Sequence, residues 1–119
     1  MATGSENAPI ISSDISLLGE SLEKVNLRNN RIGGIIPKSI GSLILLTSFD
    51  VSYNNLQGEL TGNLFTKATG LEVLRVGHNL LTGTIPDLSL SQLRELNFSF
   101  NNFTGNVTNV FIGVPKLGK

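Results

Sequence analysis

The stretch LEVLRVGHNLLTGTIP, residues 71–86, decides the fold because its residue types recur along the chain. They follow the order LxxLxLxxNxLxGxIP, and the same order begins again at Leu22, Leu46 and Leu93. The copies that begin at Leu46 and Leu93 differ only in carrying threonine in place of the final proline. Four registered copies indicate a solenoid in which each copy forms one coil.

The asparagine in each copy sets the period of the repeat. These asparagines lie 24, 25 and 22 residues apart, within the roughly 20 to 29 residues typical of short strand-based coils. A buried amide carries two donors and one acceptor, so it can satisfy backbone groups of its own coil and of the next. We therefore predict a structural ladder formed by Asn30, Asn54, Asn79 and Asn101.

The remaining slots predict the course of each coil. Alternation in LxL is typical of a short strand with apolar side chains facing inward, and equivalent strands should pair in parallel around a continuous core. Glycine after the asparagine suits a turn with positive φ or a close approach. The sequence thus predicts an α/β, strand-rich, right-handed solenoid with one parallel sheet on its concave face and short helical or irregular returns.

The domain organisation follows from where the repeats lie. We assign residues 13–119 to about four coils with partial coils at both ends, and residues 1–12 to a disordered N-terminal tail. SSDISLLGE before Leu22 combines Ser/Asp capping residues with apolar residues and is expected to form a short helix. No polar caps are evident at the ends of the repeats, so we expect self-association through uncapped ends.

The composition excludes several functional classes. The formal net charge is zero, which gives no support to a nucleic-acid or acidic-membrane partner. Cysteine is absent, so disulfides and thiolate metal sites are excluded. The first residues do not resemble a signal peptide, and no apolar run reaches the ~20 residues of a membrane helix. Expressed as written, the chain is expected to be cytoplasmic.

His78 is the only histidine of the chain and the first candidate for chemistry. It occupies the slot before the ladder asparagine, which Asn29, Tyr53 and Phe100 fill in the other copies. Such a varied slot favours a flat side chain over one specific chemistry, and a single histidine with scattered carboxylates is not a metal site. We predict no catalytic residue, metal or cofactor, and retain the hypothesis that His78 makes ligand binding pH-sensitive.

The motifs also resemble a known family. FDVSYNNLQGEL, LEVLRVGHNLLTGTIP and LRELNFSFNNFTGNV resemble the plant-type leucine-rich repeats of receptor-like kinases, receptor-like proteins and secreted polygalacturonase inhibitors. The resemblance covers about residues 15–117. It implies an extracellular or plasma-membrane protein whose repeats bind a peptide or protein ligand or a co-receptor, although this chain carries neither a signal peptide nor a membrane helix.

The outward strand positions supply the candidate binding residues, since the open sheet face of a solenoid is its usual binding surface. Adjacent strands lie ~4.8 Å apart, so Asp50 should neighbour Arg75, and Glu72 should neighbour Arg94. The alternative is a solvated face with surface ion pairs worth about 0–1 kcal/mol. The predicted ligand-binding residues are Asn26, Arg28, Asp50, Ser52, Tyr53, Arg75, His78, Asn97 and Phe100.

Three N-x-S/T sequons fall in the last repeat, at Asn97, Asn102 and Asn106. Asn102 lies in a predicted exposed turn and is the favoured glycosylation acceptor. A glycan on Asn97 would cover the open face, and all three sites stay bare outside the secretory pathway.

Three interpretations of function remain open at this point. The chain is a non-catalytic recognition segment of a receptor-like ectodomain, a small leucine-rich-repeat protein such as a secreted enzyme inhibitor, or a truncated product with little independent activity. Four short strands present a few hundred Å², below the ~800 Å² that each partner contributes to a standard interface. We therefore expect weak binding by this chain alone.

Overall fold

The computed structural model describes residues 9–60, 64–84 and 92–104. Four strands form the main sheet, which is parallel throughout. In spatial order they are β1 (Lys24–Asn26), β2 (Ser48–Asp50), β4 (Val73–Arg75) and β6 (Glu95–Asn97). Each belongs to one copy of the repeat, so the predicted parallel solenoid sheet is confirmed.

The register of the main sheet follows the LxL alternation. Val25, Phe49, Leu74 and Leu96 are direct partners at the strand centres. Their side chains turn inward and belong to the core or pack against it. The flanking residues of each strand turn outward, because successive side chains point to opposite faces. This alternation places the candidate binding residues on one open face.

A second parallel sheet lies outside the main sheet, in the part of each coil that was expected to be a helical or irregular return. Strands β3 (Gln57–Glu59) and β5 (Leu80–Thr82) pair with each other, and isolated bridges join Ile35 to Gln57 and Thr84 to Thr104. The chain leaves each asparagine in an extended conformation, and coils of nearly equal length bring these segments side by side. The NxLxG part of the repeat also alternates between exposed and buried residues, as a strand does. Leu56 and Leu81 are buried there between exposed neighbours.

Gly58 shows why glycine recurs in this second sheet. Its φ of +83° lies in the left-handed region, which side chains with a Cβ disfavour. A Cβ at this position would also lie 3.0 Å from Cγ2 of Ile35, because that side chain of the preceding coil lies over the glycine. The glycine slot therefore serves both the turn and the contact between neighbouring coils.

The returns between strands contain short 3₁₀ helices, at Ser13–Leu18 and Lys38–Ser42. The first is capped as the sequence predicts, since the Ser12 hydroxyl accepts a hydrogen bond from the Asp14 N–H at 3.0 Å. These helices belong to successive coils and pack against each other. The expected short helix before Leu22 is thus present, as a 3₁₀ rather than an α-helix.

The solenoid begins earlier than residue 13. The Gly33 N–H donates to the Pro9 carbonyl at 2.8 Å, Ile10 bridges to Gly33, and Ile11 is buried in the core. Residues 9–12 are therefore part of the first coil and not of a tail, because Ile11 fills an apolar position. The predicted tail over residues 1–8 and the partial C-terminal coil, residues 105–119, lie outside the described residues.

Candidate functional site

The ladder asparagines connect neighbouring coils at the end of each main strand. Asn54 donates to the carbonyls of Leu27, Val51 and Ser52 and accepts from the N–H groups of Asn30 and Ile32. Asn79 and Asn101 repeat the three donated bonds and accept one bond from the preceding coil, from the N–H groups of Leu56 and Leu81. The end of every strand is thereby fixed, which positions the outward residue just before each asparagine.

Short polar turns fix the same edge of the sheet. Oδ1 of Asp50 accepts from both the N–H and the hydroxyl of Ser52, at 3.0 and 2.6 Å. Asn97 makes the same turn with Ser99 at 2.9 and 2.6 Å. Such Asx turns occupy the side chain locally and shape the backbone beyond the strand.

Asp50 and Ser52 therefore differ from the other predicted contact residues. They are only 4% and 3% exposed, and the oxygen atoms of both side chains already accept hydrogen bonds from this chain. We correct their predicted role from ligand contact to positioning. The alternation placed them on the open face, but neighbouring side chains cover them there.

Arg75 joins three strands through a charged network. Its Nη1 lies 3.3 Å from Oδ2 of Asp50, and its Nε donates to Oε2 of Glu95 at 2.6 Å. The hydrogen bond to Glu95 is the main cause that raises the pKa of Arg75. Arg94 pairs with Glu72 at 3.0 Å. Both predicted neighbour pairs are confirmed, whereas the contact with Glu95 was not foreseen.

The charge state of Asp50 depends on this network. Burial by itself raises the pKa of the Asp50 carboxyl, but the hydrogen bonds from Ser52 and the contact with Arg75 outweigh it and lower the pKa overall. The ionised form is thus favoured in the folded chain. Its contribution to stability is fully present above the ordinary aspartate pKa of about 3.9 and is lost as the pH falls through the lowered value.

We expect Asp50→Asn to make folding less sensitive to acid. Asparagine fills the same position in the first and last coils, as Asn26 and Asn97, so the variant keeps the acceptor for Ser52. Urea unfolding between about pH 7 and about pH 3 should show a smaller loss of unfolding free energy for the variant than for the wild type. Equal losses would contradict the role assigned to the carboxylate.

Three aromatic side chains form a continuous stack along the edge of the open face. The rings of Tyr53 and His78 lie 4.1 Å apart and 10° from parallel, and those of His78 and Phe100 lie 4.2 Å apart and 19° from parallel. We call Tyr53, His78 and Phe100 the ring stack. Tyr53 and Phe100 are exposed, Phe100 to 73%, so the stack presents apolar surface to a partner.

The ring stack rests on an unusual backbone conformation. Tyr53, His78 and Phe100 have φ values of 59°, 56° and 57°, and Asn29 in the same slot has 62°. Left-handed conformations cost a residue with a Cβ roughly 1–2 kcal/mol. The asparagine ladder holds the backbone directly after each of these positions. The left-handed conformation is therefore kept with four different side chains. Such strain is concentrated at functional sites.

The stack continues toward the first coil through a guanidinium group. Cζ of Arg28 lies 4.6 Å from the centroid of the Tyr53 ring, a cation–π contact, and its Nη1 donates to the Ser52 hydroxyl at 3.0 Å. Arg28, Tyr53, His78 and Phe100 come from four successive copies of the repeat. They form one line of side chains across the main sheet.

The other predicted residues are placed as follows. Asn26 and Asn97 are both exposed. The amide oxygen of Asn97 lies close to Gly77, since a Cβ on Gly77 would be 2.8 Å from this oxygen. Asn102 is exposed, which leaves its side chain accessible for glycosylation. Asn106 lies outside the described residues. Glycosylation at these three positions stays a prediction.

Within the part of the chain that the structure describes, no group of three or more His, Cys, Asp or Glu side chains could hold a metal ion. No helix among the described residues is long and apolar enough to cross a membrane.

Models of known protein families match the segments of the sequence that form the coils. Family models described as leucine rich repeat match residues 20–81 and residues 92–113. The chain belongs to the leucine-rich-repeat family. The first match covers three of the four strands of the main sheet, all of β3 and most of β5.

The individual proteins with similar sequences include a plant receptor-like protein. Receptor like protein 28 of Arabidopsis thaliana is 30% identical over 88 residues, which are 74% of this chain and 11% of the relative. The chain thus spans about a tenth of the length of this curated relative.

Solved leucine-rich-repeat structures show the same fold. One is the ectodomain of the Arabidopsis thaliana membrane receptor kinase GASSHO1/SCHENGEN3 in complex with Casparian strip integrity factor 2, with a TM-score of 0.76 and 30% identity over 81% of this chain and 12% of that one. Another is a plant ice-binding protein, with a TM-score of 0.77 and 30% identity over 87% of this chain and 34% of that one.

Proposed function

We propose that this chain is a non-catalytic recognition segment of a plant receptor-like ectodomain, and that it binds an extended peptide or protein segment on the open face of the main sheet. The ring stack is the observation that carries the proposal. Two of its three rings, those of Tyr53 and Phe100, are exposed, and all three lie in one line and are held in a strained backbone conformation by the asparagine ladder. Aromatic side chains in such positions are typical centres of binding energy.

The direction of the stack favours an extended ligand. Its rings come from successive coils, so a peptide that follows the stack contacts every coil in turn. Exposed polar groups lie beside this path, namely the side chains of Asn26 and Asn97. A peptide in this position would combine apolar contacts to the rings with hydrogen bonds to the neighbouring amides, which is the usual composition of a recognition site.

The proposal places the chain outside the cell as part of a longer protein. GASSHO1/SCHENGEN3 is a membrane receptor kinase, and its ectodomain was solved with a bound factor. A peptide or protein ligand and a co-receptor are therefore the partners we propose. The ring stack alone offers less area than a standard interface, so we expect full affinity to need the further coils of the longer protein.

Selection from a displayed library of random peptides tests the proposal. The test variant replaces Tyr53, His78 and Phe100 together with asparagine, which the slot already accepts as Asn29. Peptides that the wild type enriches should lose at least about tenfold in affinity toward this variant, because truncating each central aromatic contact costs on the order of 1 kcal/mol or more.

The matched control removes equally exposed apolar side chains from the second sheet. Ile35 and Leu80 are exposed there, and both are replaced with asparagine. Enriched peptides should bind this control as they bind the wild type. Peptides that lose affinity for the control and keep it for the ring-stack variant would contradict the proposal.

A further inference from the structure

His78 is the centre of the ring stack and has an unusual environment. Both faces of its ring are covered, one by Tyr53 and the other by Phe100. Among the described residues, no side chain or backbone group forms a hydrogen bond with either of its ring nitrogens. The side chain is half-buried. No described group therefore occupies the edge of the imidazole, where a ligand or water can bind.

Arg28 has a comparable environment on the other side of Tyr53. It belongs to the coil before Tyr53, whereas His78 belongs to the coil after it, so the two side chains cover opposite faces of the tyrosine ring. In the described part of the chain the one hydrogen-bond acceptor of its guanidinium is the Ser52 hydroxyl, and no carboxylate pairs with it. A guanidinium group carries five donors, so most of these donors have no described acceptor.

We propose that Arg28 and His78 form an anion-recognition site on the two sides of Tyr53, and that protonation of His78 strengthens it. The ligand class is a peptide with an acidic side chain or a free carboxylate, bound along the ring stack. This inference rests on the proposed function, because it names the chemistry of the ligand at the same site.

Protonation changes what the stack offers a ligand. A neutral imidazole has one donor and one acceptor, whereas an imidazolium has two donors and a positive charge. Histidine is the side chain that ordinarily changes charge between about pH 5 and about pH 8. Below that change the edge of the stack carries two cations in place of one, and each has donors that no described group accepts from.

Charged and aromatic groups surround His78. The rings of Tyr53 and Phe100 lie against the two faces of its imidazole. The positive charge of Arg28 lies beyond Tyr53. Arg75 on β4 is paired with Asp50 on β2 and with Glu95 on β6. No carboxylate of the described residues pairs with His78, so an acidic ligand can supply the complementary charge.

The amino-acid composition allows the ring stack to be observed by spectroscopy without a label. The chain has one histidine, one tyrosine and no tryptophan. Nuclear magnetic resonance of the imidazole protons therefore reports protonation of His78 alone, and the intrinsic fluorescence of the folded chain reports the surroundings of Tyr53. Both signals arise inside the ring stack and need no introduced label.

The test uses a tetraglutamate peptide with blocked ends as the probe and the equivalent tetralysine peptide as the charge-reversed control. Titrations followed by both signals are run at about pH 5.5 and about pH 7.5, with inorganic phosphate as a separate arm. We expect tetraglutamate to bind about two- to fivefold more tightly at the lower pH, the effect of one added exposed charge. Tetralysine should show no binding at either pH.

Two variants separate the contributions of the cations. His78→Asn keeps a side chain that the left-handed slot accepts in the first coil, and it should abolish the pH dependence while weak binding remains. Arg28→Gln should weaken binding at both pH values and preserve the pH dependence. Circular dichroism confirms that each variant is folded.

Several outcomes would overturn the inference. They are an imidazole that stays neutral at about pH 5, binding equal at both pH values, pH dependence that persists in His78→Asn, or no binding of the acidic probe. Phosphate binding as tight as that of the peptide would overturn the assignment of a peptide ligand. Library peptides that depend on the ring stack but show none of this behaviour would leave the proposed function standing and remove only the anion site.

Discussion

Replacing Asn54 with alanine is expected to lower the free energy of unfolding by about 3 kcal/mol or more. The Asn54 side chain is 7% exposed and makes five hydrogen bonds to backbone groups of two coils. Each buried backbone group left without a partner costs about 1–3 kcal/mol. Since domains of this size have about 5–15 kcal/mol of stability in total, the loss should be plain in urea denaturation.

Asn55 provides the matched control for this prediction. It is the next residue, is exposed, and makes its inter-coil bond through the backbone N–H, which alanine retains. Asn55→Ala should change the unfolding free energy by no more than about 0.5 kcal/mol. A comparable effect of the two substitutions would mean that the ladder does not hold the coils together.

Phe49→Ala is expected to cost about 3–5 kcal/mol, the usual range for removing a buried aromatic side chain. Phe49 is 0% exposed and lies at the centre of the main sheet, between Val25 and Leu74. Its ring also packs against Phe65 from the return, with centroids 5.4 Å apart. Alanine would leave a cavity that faces two neighbouring coils and a return segment.

The exposed Phe100 serves as the control for the loss of a phenylalanine. Phe100→Ala removes the same side chain from a surface position, where the remaining cost is the contact with His78. We expect a change in unfolding free energy below about 1 kcal/mol and, in the library experiment, a loss of peptide affinity. Similar destabilisation by the two alanine variants would contradict the assignment of Phe49 to the core and Phe100 to the surface.

The repeat in the sequence was sufficient to predict the main sheet and the ladder positions. The LxL alternation defines which side chains face inward, and the asparagine spacing defines the register between strands. These are properties of single coils and of their repetition, so no distant contact has to be known. The capping of the first 3₁₀ helix by Ser12 is similarly local.

Features that depend on contacts between particular coils were harder to predict from the sequence. Alternation placed Asp50 and Ser52 outward, but their burial depends on Arg28 and Arg75 reaching across from neighbouring strands. The contact of Arg75 with Glu95 is diagonal between strands, a relation that long side chains can span but that direct pairing does not indicate. The interplanar angles of the ring stack likewise require the positions of three coils at once.

The fold by itself does not assign a function. A similar fold occurs in the ectodomain of a plant membrane receptor kinase and in a plant ice-binding protein. The coils hold surface side chains in line, and the identity of those side chains determines what is bound. In this chain the open face carries the ring stack and, against Tyr53, a guanidinium that pairs with no carboxylate of the described residues.

The most direct test of the proposed recognition surface is the footprint of a selected peptide on the isotope-labelled chain, mapped by amide and side-chain chemical-shift changes. The largest changes are expected at Arg28, Tyr53, His78 and Phe100, with smaller changes at Asn26 and Asn97. A footprint centred on the second sheet, around Ile35, Leu80 and Thr82, would contradict the proposal that the ring stack is the binding site.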